Sequence, residues 1–247
     1  MLRTVFADLH IHTCLSPCAS LDMTPIKIVR QAIKTGLSII AVTDHNSAEN
    51  VAAVNAAAKG SGVYVIPGIE ISTAEEVHIL GLFGTCNDTR DIQKTVFEHL
   101  MPGENDEKLF GPQVIANEFD EVEGFNNRLL IGSTTLDVNR VVDLIHRHCG
   151  IAIFSHIDRE ANSIIGQLGF IPPDITFEGI EISRNMSITQ ARIRFSEYGN
   201  YPFIRSSDSH ELHDIGSAKT TFVIEELNFN EIHMALSGSG DRAILHQ

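Results

Sequence analysis

Metal-binding side chains are concentrated at the start of the chain. The stretch ADLHIHTCLSPC (7–18) places Asp8, His10 and His12 at alternating positions and then adds Cys14 and Cys18. Alternating side chains of a β-strand point to one face, so His10 and His12 are predicted to face a common site. Imidazole and carboxylate groups together favour zinc, manganese or iron over calcium or magnesium, which prefer oxygen ligands. The stretch therefore predicts part of a transition-metal site.

The same side-chain types return beside later apolar runs. Each lies within or directly after a run predicted to be a strand, and in chain order they are Asp44, His45, Glu70, His78, His156, Asp208 and His210. The carboxyl ends of parallel barrel strands share one face, so we expect these side chains to meet there. Few lysines or arginines lie in these segments, and burying unpaired carboxylates is costly. Divalent cations are the simplest compensation.

The elements that would position these residues alternate regularly. Short apolar runs such as SIIAVT (38–43) and IAIFSH (151–156) alternate with segments of helical periodicity, for example the helix that begins after Thr24-Pro25. Six or seven strands alternating with helices predict a parallel α/β fold, either a barrel or an open sheet. Residues 87–136 break this rhythm because they are acidic and weakly periodic. They are interpreted as a surface insertion, or alternatively as a lid over the substrate.

Composition and charge narrow the class of protein. The 247 residues carry a formal net charge of −14. Non-specific nucleic-acid binding needs many lysines and arginines, so we expect a small anionic substrate and no long nucleic acid as partner. The chain start lacks the pattern of a secretory signal, and no apolar run reaches the roughly 18 residues that span a bilayer. We therefore predict a cytoplasmic protein without membrane contact, whose cysteines are thiols or metal ligands.

Six short motifs resemble, in order, those of the polymerase and histidinol phosphatase (PHP) domain superfamily. They are DLHIH (8–12), TDH (43–45), GIE (68–70), VHILG (77–81), SH (155–156) and SDSH (207–210). The resemblance covers nearly the whole chain except the insertion, so one PHP domain over 1–247 with an insertion at about 87–136 is expected. It implies a distorted (β/α)7 barrel, a site for two or three metal ions, and hydrolysis of phosphoesters.

The resemblance also implies how the ligands are shared between the ions. The first ion would be bound by His10, His12 and Asp208. Glu70 would bridge this ion to a second one, whose other ligands would be His78 and His156. A third ion would lie between His45 and His210.

Residues around the third ion depart from the family pattern. Many relatives supply another histidine shortly after the first motif, where this chain has TCLSPCAS. Cys18 is a candidate for that place because a thiolate is a good zinc ligand, or Pro17 aligns there and the position stays open. Asp8 and Asp44 are expected beside the ligands, with Asp8 orienting a ligand imidazole through its other nitrogen.

The mechanism implied is attack on phosphorus by a metal-activated water without a covalent protein intermediate. Phosphate monoesters require accelerations of up to about 10²¹, whereas one general base supplies about 10²–10⁴. Arg159 and Arg184 follow strands and are expected to bind the phosphate, unless they form surface salt bridges. His45 or His210 would act as an acid only if the third ion is absent.

Three alternatives remain open at the level of sequence. In the first, the substrate is a nucleotide or a similar small phosphate ester. In the second, it is histidinol phosphate. In the third, the chain is a metal-binding regulatory module without catalysis. The other histidines lie on predicted helices or in the tail and are interpreted as structural or exposed: His99, His146, His148, His233 and His246.

Overall fold

Seven strands close into a barrel. The computed structural model describes residues 1–245, and their strands are β1 (Arg3–Ile11), β2 (Ile39–Val42), β3 (Tyr64–Ser72), β4 (His78–Leu82), β5 (Val114–Ala116), β6 (Val122–Phe125), β7 (Ile151–Phe154), β8 (Gly179–Ile182), β9 (Phe203–Arg205), β10 (Thr220–Ile224) and β11 (Ala243–Leu245). Nine of them form one sheet in the order β11-β10-β1-β2-β3-β4-β7-β8-β9. A parallel bridge between Ile11 and Ser209 joins the segment after β9 to β1. The predicted α/β barrel of seven strands is confirmed, and β10 and β11 extend the sheet beyond it.

The helices surround this barrel. They are α1 (Pro25–Lys34), α2 (Val51–Ala57), α3 (Cys86–His99), α4 (Glu107–Phe110), α5 (Val138–Arg147), α6 (Ile164–Leu168), α7 (Ile188–Arg194) and α8 (Phe229–Ser237). Proline at the start of α1 matches the expected helix beginning. None of the helices within residues 1–245 has the length and apolar character that crossing a membrane requires.

The core has an inner and an outer part. Inward side chains of the barrel strands, for example Leu9 and Ile66, form a cluster to which α8 adds Ile232 and Leu236. Two outer clusters bury the apolar faces of the helices, α1 and α2 against β1–β3 and α3, α5 and α7 against β3, β4, β7 and β8. The open end of the barrel is left to polar side chains.

One strand departs from the parallel arrangement. β4 pairs antiparallel with both β3 and β7, whereas the other neighbouring pairs within the barrel are parallel. His78, which was expected within a strand, is the first residue of β4. Because β4 is reversed, its amino end lies beside the carboxyl end of β3, where Ser72 pairs with His78.

A β-bulge in β1 determines which of its side chains reach the open end. The register between β1 and β2 shifts between Asp8 and Ile11. Leu9 packs inside the barrel and Ile11 packs against the outer helices, although a regular strand would place them on one face. The bulge reverses the alternation, so His10 and His12 point into the barrel mouth and Asp8 does not share their face.

Within residues 87–136, α3 packs on the barrel through apolar side chains, and the segment that follows it is attached by asparagines. β5 and β6 form a separate two-stranded sheet. The side chain of Asn50 donates to the carbonyl oxygen of Val114 at 3.0 Å and accepts from the backbone nitrogen of Ala116 at 2.9 Å. Asn50 is completely buried, so it replaces water for both backbone groups of β5.

Replacing Asn50 is expected to loosen this attachment. In Asn50→Ala, a buried carbonyl and a buried amide of β5 lose their partners, so the free energy of unfolding should fall by roughly 2–3 kcal/mol. Urea denaturation measures this change, and limited proteolysis should cut earlier between α3 and α5. The control is Asn139→Ala, an exposed position on α5, which should change the free energy by less than about 0.5 kcal/mol. Equal stability of the two variants would contradict the role of Asn50.

Candidate metal centre

Eight side chains singled out from the sequence meet at the barrel mouth. They come from the carboxyl-end segments of β1, β2, β3, β7 and β9 and from the amino end of β4: His10, His12, His45, Glu70, His78, His156, Asp208 and His210. All except His210 are buried. The centroids of neighbouring imidazole rings lie between 4.2 and 6.1 Å apart, so the six rings form one continuous cluster.

Glu70 lies at the centre of this cluster and is 1% exposed. Its Oε2 lies 2.9 Å from Nδ1 of His45, and its Oε1 lies 3.1 Å from Nδ1 of His78. Nε2 of His10 and Nε2 of His156 lie 3.3 and 3.5 Å from Oε1. Nitrogen atoms from four different segments thus surround one carboxylate, which suits a group that bridges two cations.

Three groups of potential ligand atoms lie close enough to hold an ion. Within each group the atoms lie within 4.8 Å of one another, and the groups are His10, His12 and Asp208; His45, Glu70 and His78; and His12, His45 and His210. The first has the composition predicted for the first ion. In the second, His45 lies where His156 was expected beside Glu70 and His78. The assignment of single ligands to single ions stays a prediction.

Buried polar atoms of the cluster lack hydrogen-bond partners. Both carboxylate oxygens of Glu70 and Nδ1 of His45, His78 and His156 are buried and make no hydrogen bond to any described residue. Unpaired buried polar groups are rare and costly in folded proteins. Carboxylate oxygens and imidazole nitrogens are ligand atoms of transition metals. The residues therefore fit bound divalent cations.

The charge states of Glu70 and His12 suit metal binding. Burial raises the pKa of Glu70, but the imidazoles of His78, His10 and His45 outweigh burial and hold its pKa well below the usual value. Burial and the neighbouring imidazoles lower the pKa of His12 well below its usual value. Glu70 is thus a carboxylate and His12 a neutral ring, which are the forms that bind metals.

Glu181 orients the first histidine. Nδ1 of His10 lies 3.1 Å from both carboxylate oxygens of Glu181, and Oε1 of Glu181 also accepts from the backbone nitrogen of His156 at 3.1 Å. A carboxylate at Nδ1 fixes the proton there and leaves Nε2 of His10 facing the centre. Glu181 is fully buried on β8, so it connects two candidate ligands from outside the cluster.

Asp44 orients the second histidine through a hydroxyl. Nδ1 of His12 lies 3.0 Å from Oγ of Ser16, which donates to Oδ1 of Asp44 at 2.6 Å. The remaining lone pairs of Asp44 accept from the backbone nitrogen and hydroxyl of Thr13, both at 2.7 Å. The expected position of Asp44 beside the ligands agrees with this chain of hydrogen bonds, which leaves Nε2 of His12 for an ion.

The expectation that Asp8 orients a ligand imidazole is wrong. Its carboxylate accepts from the backbone nitrogen and hydroxyl of Ser207 at 3.0 and 2.6 Å and from the backbone nitrogen of Gly216 at 2.9 Å. Asp8 lies before the bulge of β1 and faces the loop after β9. It therefore holds the loop that carries Asp208, while Glu181 occupies the place expected for it.

Cys18 lies at the rim of the site. It is solvent-exposed and lines the same cavity as His45 and His210. Partial burial raises the pKa of the thiol, but these two imidazoles outweigh it and lower the pKa to about 6. The position suits a thiolate beside the third group of histidines, and its role as a ligand stays a prediction.

A cavity of about 490 Å³ opens over the cluster. Of the two arginines predicted to bind phosphate, one lines this cavity and the other does not. Arg159 lines the cavity, and its Nη1 lies 2.6 Å from Oδ2 of Asp208. Arg184 does not line it, because Asp214 in the loop after β9 pairs with its guanidinium. The prediction that Arg184 faces the same cavity is therefore wrong.

Part of the cavity wall comes from the insertion. Ile131, Gly132 and Ser133 line the cavity together with Arg159, Asp208 and histidines of the cluster. The side chain of Asn46, next to His45, donates to the carbonyl oxygens of Leu130 and Gly132 at 2.9 and 2.8 Å. The insertion is thus more than a surface excursion, since its last residues are fixed against the site.

The remaining histidines lie away from the cluster. His146 contacts Glu178 at 3.1 Å, and Nδ1 of His99 lies 2.9 Å from the carbonyl oxygen of Thr95. His148 and His233 are outside the cavity, and His246 lies outside the described residues.

Sequence reasoning missed Glu181, although the sequence contains a sign of it. The pentapeptide GIEIS occurs twice, at 68–72 and at 179–183, and places Glu70 and Glu181 at the same position of two strands. Both carboxylates are buried and both contact His10. Ser16 was missed as well, because a serine in a turn has no pattern that distinguishes it.

Comparison with known proteins places the chain among PHP domains. The PHP domain family model matches residues 8–167. The 5′-3′ exoribonuclease Rnm of Escherichia coli is 36% identical over 83 residues, which are 32% of this chain and 27% of that protein. The match therefore spans about a quarter of the length of this relative.

Solved structures share the fold at low sequence identity. The lesion-specific endonuclease Q of Pyrococcus furiosus is 18% identical with a TM-score of 0.76, covering 98% of this chain and 58% of that chain. A putative metal-dependent phosphoesterase of Bifidobacterium adolescentis is 16% identical with a TM-score of 0.54, covering 83% of this chain and 87% of that chain. At these identities the similarity demonstrates the fold alone.

The exclusion of long nucleic acids as partners is wrong. Endonuclease Q, which shares this fold, has been solved in complex with a 27-mer duplex substrate that has an abasic lesion at the active site, with a TM-score of 0.73 to this chain. The net charge led to this wrong exclusion because it adds the charges of the whole chain without regard to where they lie. The insertion contributes ten acidic and four basic residues, and six further carboxylates are buried: Asp8, Asp44, Glu70, Glu181, Asp208 and Glu231.

Neutralising Glu181 is expected to weaken metal binding. In Glu181→Gln, His10 loses its negative partner and becomes a poorer ligand, so metal affinity should fall about 10- to 100-fold. Competition with a chromophoric chelator measures this affinity. The matched control is Glu178→Gln in the same segment, since Glu178 contacts His146 in the same way but away from the site. Equal affinities of the two variants would contradict the role of Glu181.

Proposed function

The chain belongs to the PHP domain family, and on that premise we propose that it is a metal-dependent hydrolase of phosphoester bonds in nucleic acids. The observation that carries the proposal is the buried cluster around Glu70. Its unpaired oxygen and nitrogen atoms need cations, and it lies under a cavity with a guanidinium at its edge. This combination suits a phosphate group better than a neutral substrate.

Two or three zinc, manganese or iron ions would be held by the histidines and carboxylates of the cluster. The proposed ligands are His10, His12, Cys18, His45, Glu70, His78, His156, Asp208 and His210. When bound, such ions would neutralise phosphate oxygens and lower the pKa of a water towards neutrality. The carboxylates of Glu70 and Asp208 supply the negative charge that holds the ions in the mouth of the barrel.

The side chains around the ligands position the substrate and the proton. Arg159 lines the cavity and presents a planar guanidinium, which binds phosphate oxygens in pairs. Nδ1 of His210 donates to the carbonyl oxygen of Asp208 at 3.0 Å and leaves Nε2 facing the cavity side. We assign His210 or His45 the role of an acid for the leaving oxygen only if neither holds an ion.

A nucleic-acid strand is favoured over a small phosphate ester by the comparisons. The Rnm relatives are exoribonucleases, and endonuclease Q binds duplex DNA. Most of the net negative charge of this chain lies in the insertion or is buried, so the remaining surface does not repel a polyanion as strongly as the total of −14 suggests. Mononucleotides and histidinol phosphate are the competing substrates.

We also propose that residues 1–247 form one PHP domain with an insertion at about 87–136. The family match continues across the insertion. Residues 131–133 then form one wall of the substrate cavity, so the insertion would limit which part of a substrate enters.

A substrate screen tests the proposed activity. Protein loaded with manganese or zinc is incubated with single-stranded RNA and DNA, an abasic duplex, mononucleotides and histidinol phosphate. We expect shortened oligonucleotides, with kcat/KM at least about 100-fold lower in His10→Ala, because the loss of one ligand disturbs the ions. The control His213→Ala removes an exposed histidine and should keep full activity.

Two outcomes would contradict this proposal. Hydrolysis of histidinol phosphate alone would exclude nucleic acids as the substrate class. Near-stoichiometric bound metal without hydrolysis of any substrate would favour the regulatory module instead.

Replacing Cys18 tests the third ion. If the thiolate is a ligand, Cys18→Ala should bind one ion fewer per chain, and the cobalt-substituted protein should lose its thiolate charge-transfer absorption. Cys149→Ala, which removes another exposed thiol, should retain both. An unchanged spectrum in Cys18→Ala would show that the thiol is not a ligand.

A further inference from the structure

A second pocket lies on the outside of the barrel, where β10 leaves the closed part of the sheet. It has a volume of about 220 Å³ and lies between β1, β9, β10 and β11. Its cationic residues are Arg205 and Lys219, and apolar side chains such as Phe6, Phe203 and Ile188 form its floor. None of these residues belongs to the metal centre.

The pocket places two cations together without negative lining residues. Within residues 1–245, the side chains that line it include no aspartate or glutamate. Nε of Arg205 is buried and makes no hydrogen bond there, and Nζ of Lys219 lies 4.2 Å from the centroid of the Phe6 ring. The backbone segments of the two residues are adjacent, because the backbone nitrogen of Arg205 donates to the hydroxyl of Thr220, the residue after Lys219, at 2.9 Å. Two cationic residues thus line one small pocket whose described lining supplies no opposite charge.

The carboxylate of the neighbouring loop does not supply that opposite charge. Asp214 is paired with Arg184, and the remaining guanidinium contact of Arg205 is to the carbonyl oxygen of Arg184 at 3.0 Å. In a chain of net charge −14, two half-buried cations without a carboxylate in their pocket indicate an anionic ligand.

We propose that this pocket binds one nucleotide unit of the nucleic-acid substrate, with its phosphate on Arg205 and Lys219 and its nucleoside against the apolar floor. Base contact with apolar and aromatic side chains together with cations on the backbone is how single strands are held without sequence preference. The inference rests on the proposed function, since it assigns a second contact to the same substrate.

The pocket is connected to the metal centre along the rim of the barrel. Arg205 precedes Asp208 by three residues, so their Cα atoms are at most about 10–11 Å apart along the chain. Arg159, Arg184 and Arg205 follow or end β7, β8 and β9, three neighbouring strands. A strand whose scissile phosphate lies at the metal centre would therefore pass over cationic residues on its way to the pocket.

Lys219→Gln tests the proposal in the metal-loaded protein. Binding of a fluorescein-labelled 12-nucleotide RNA and DNA is followed by anisotropy between low and moderate salt. We expect affinity to fall about 3- to 10-fold, and the slope of log K against log salt to shrink by about 0.7, the value for one phosphate contact. Lys219→Arg should restore both, and Lys59→Gln, an exposed lysine after α2, should change neither.

The readouts separate this inference from the proposed function. Turnover of p-nitrophenyl phosphate or of a mononucleotide should be the same in Lys219→Gln and in the wild-type protein, because the pocket is outside the metal centre. An affinity and a salt slope equal to those of wild type would overturn the inference while leaving hydrolysis intact.

An equal loss of mononucleotide and oligonucleotide binding would also overturn it, since the pocket would then take free phosphate esters. If wild type hydrolyses no phosphoester, the proposed function fails, and the anisotropy still decides whether the pocket binds the strand.

Discussion

The structure depends on enclosing carboxylates among imidazoles at the mouth of an apolar barrel. Glu70 is 1% exposed, and its two oxygens have nitrogen atoms on several sides but make no hydrogen bond to a described residue. An isolated charge in such surroundings would be neutralised by a shift of its pKa. The histidines shift the pKa of Glu70 in the opposite direction and keep it ionised. Bound cations would compensate the negative charge of Glu70, and the other residues of the barrel mouth hold the ligand atoms in position.

Three further buried carboxylates serve this purpose from behind the ligands. Glu181 fixes the ring of His10, Asp44 fixes the ring of His12 through Ser16, and Asp8 fixes the loop that carries Asp208. Each lies on a different segment, so the ligands are held by the packing of several strands and not by one loop. Three residues of the site also have a positive φ angle, Asn46, His156 and Asp208, with values of 51, 29 and 50°. Backbone strain of this kind persists only where the surrounding contacts enforce it.

The parts of the site that follow from local pattern could be predicted from the sequence, and the parts that depend on single-residue irregularities could not. Apolar runs followed by histidine or aspartate identify strand ends, and these predicted the eight side chains that meet. A β-bulge adds one residue to a strand without changing its composition, so the different face of Asp8 was not visible. The antiparallel direction of β4 was also not visible in the sequence, and it brings His78 to the barrel mouth from the amino end of its strand. The place of Arg184 depended on Asp214, thirty residues away.

Net charge is the clearest case in which a correct sum led to a wrong conclusion, because the charges of this chain are separated in space. The acidic insertion is attached to the segments after β1 and β2, through Asn50 and through the backbone of Val114, which donates to the carbonyl oxygen of Cys14 at 2.9 Å. The arginines near the mouth belong to β7, β8 and β9 and their following segments. The insertion and the buried carboxylates together carry most of the net negative charge, which reduces the repulsion that a polyanion would meet at the mouth of the barrel.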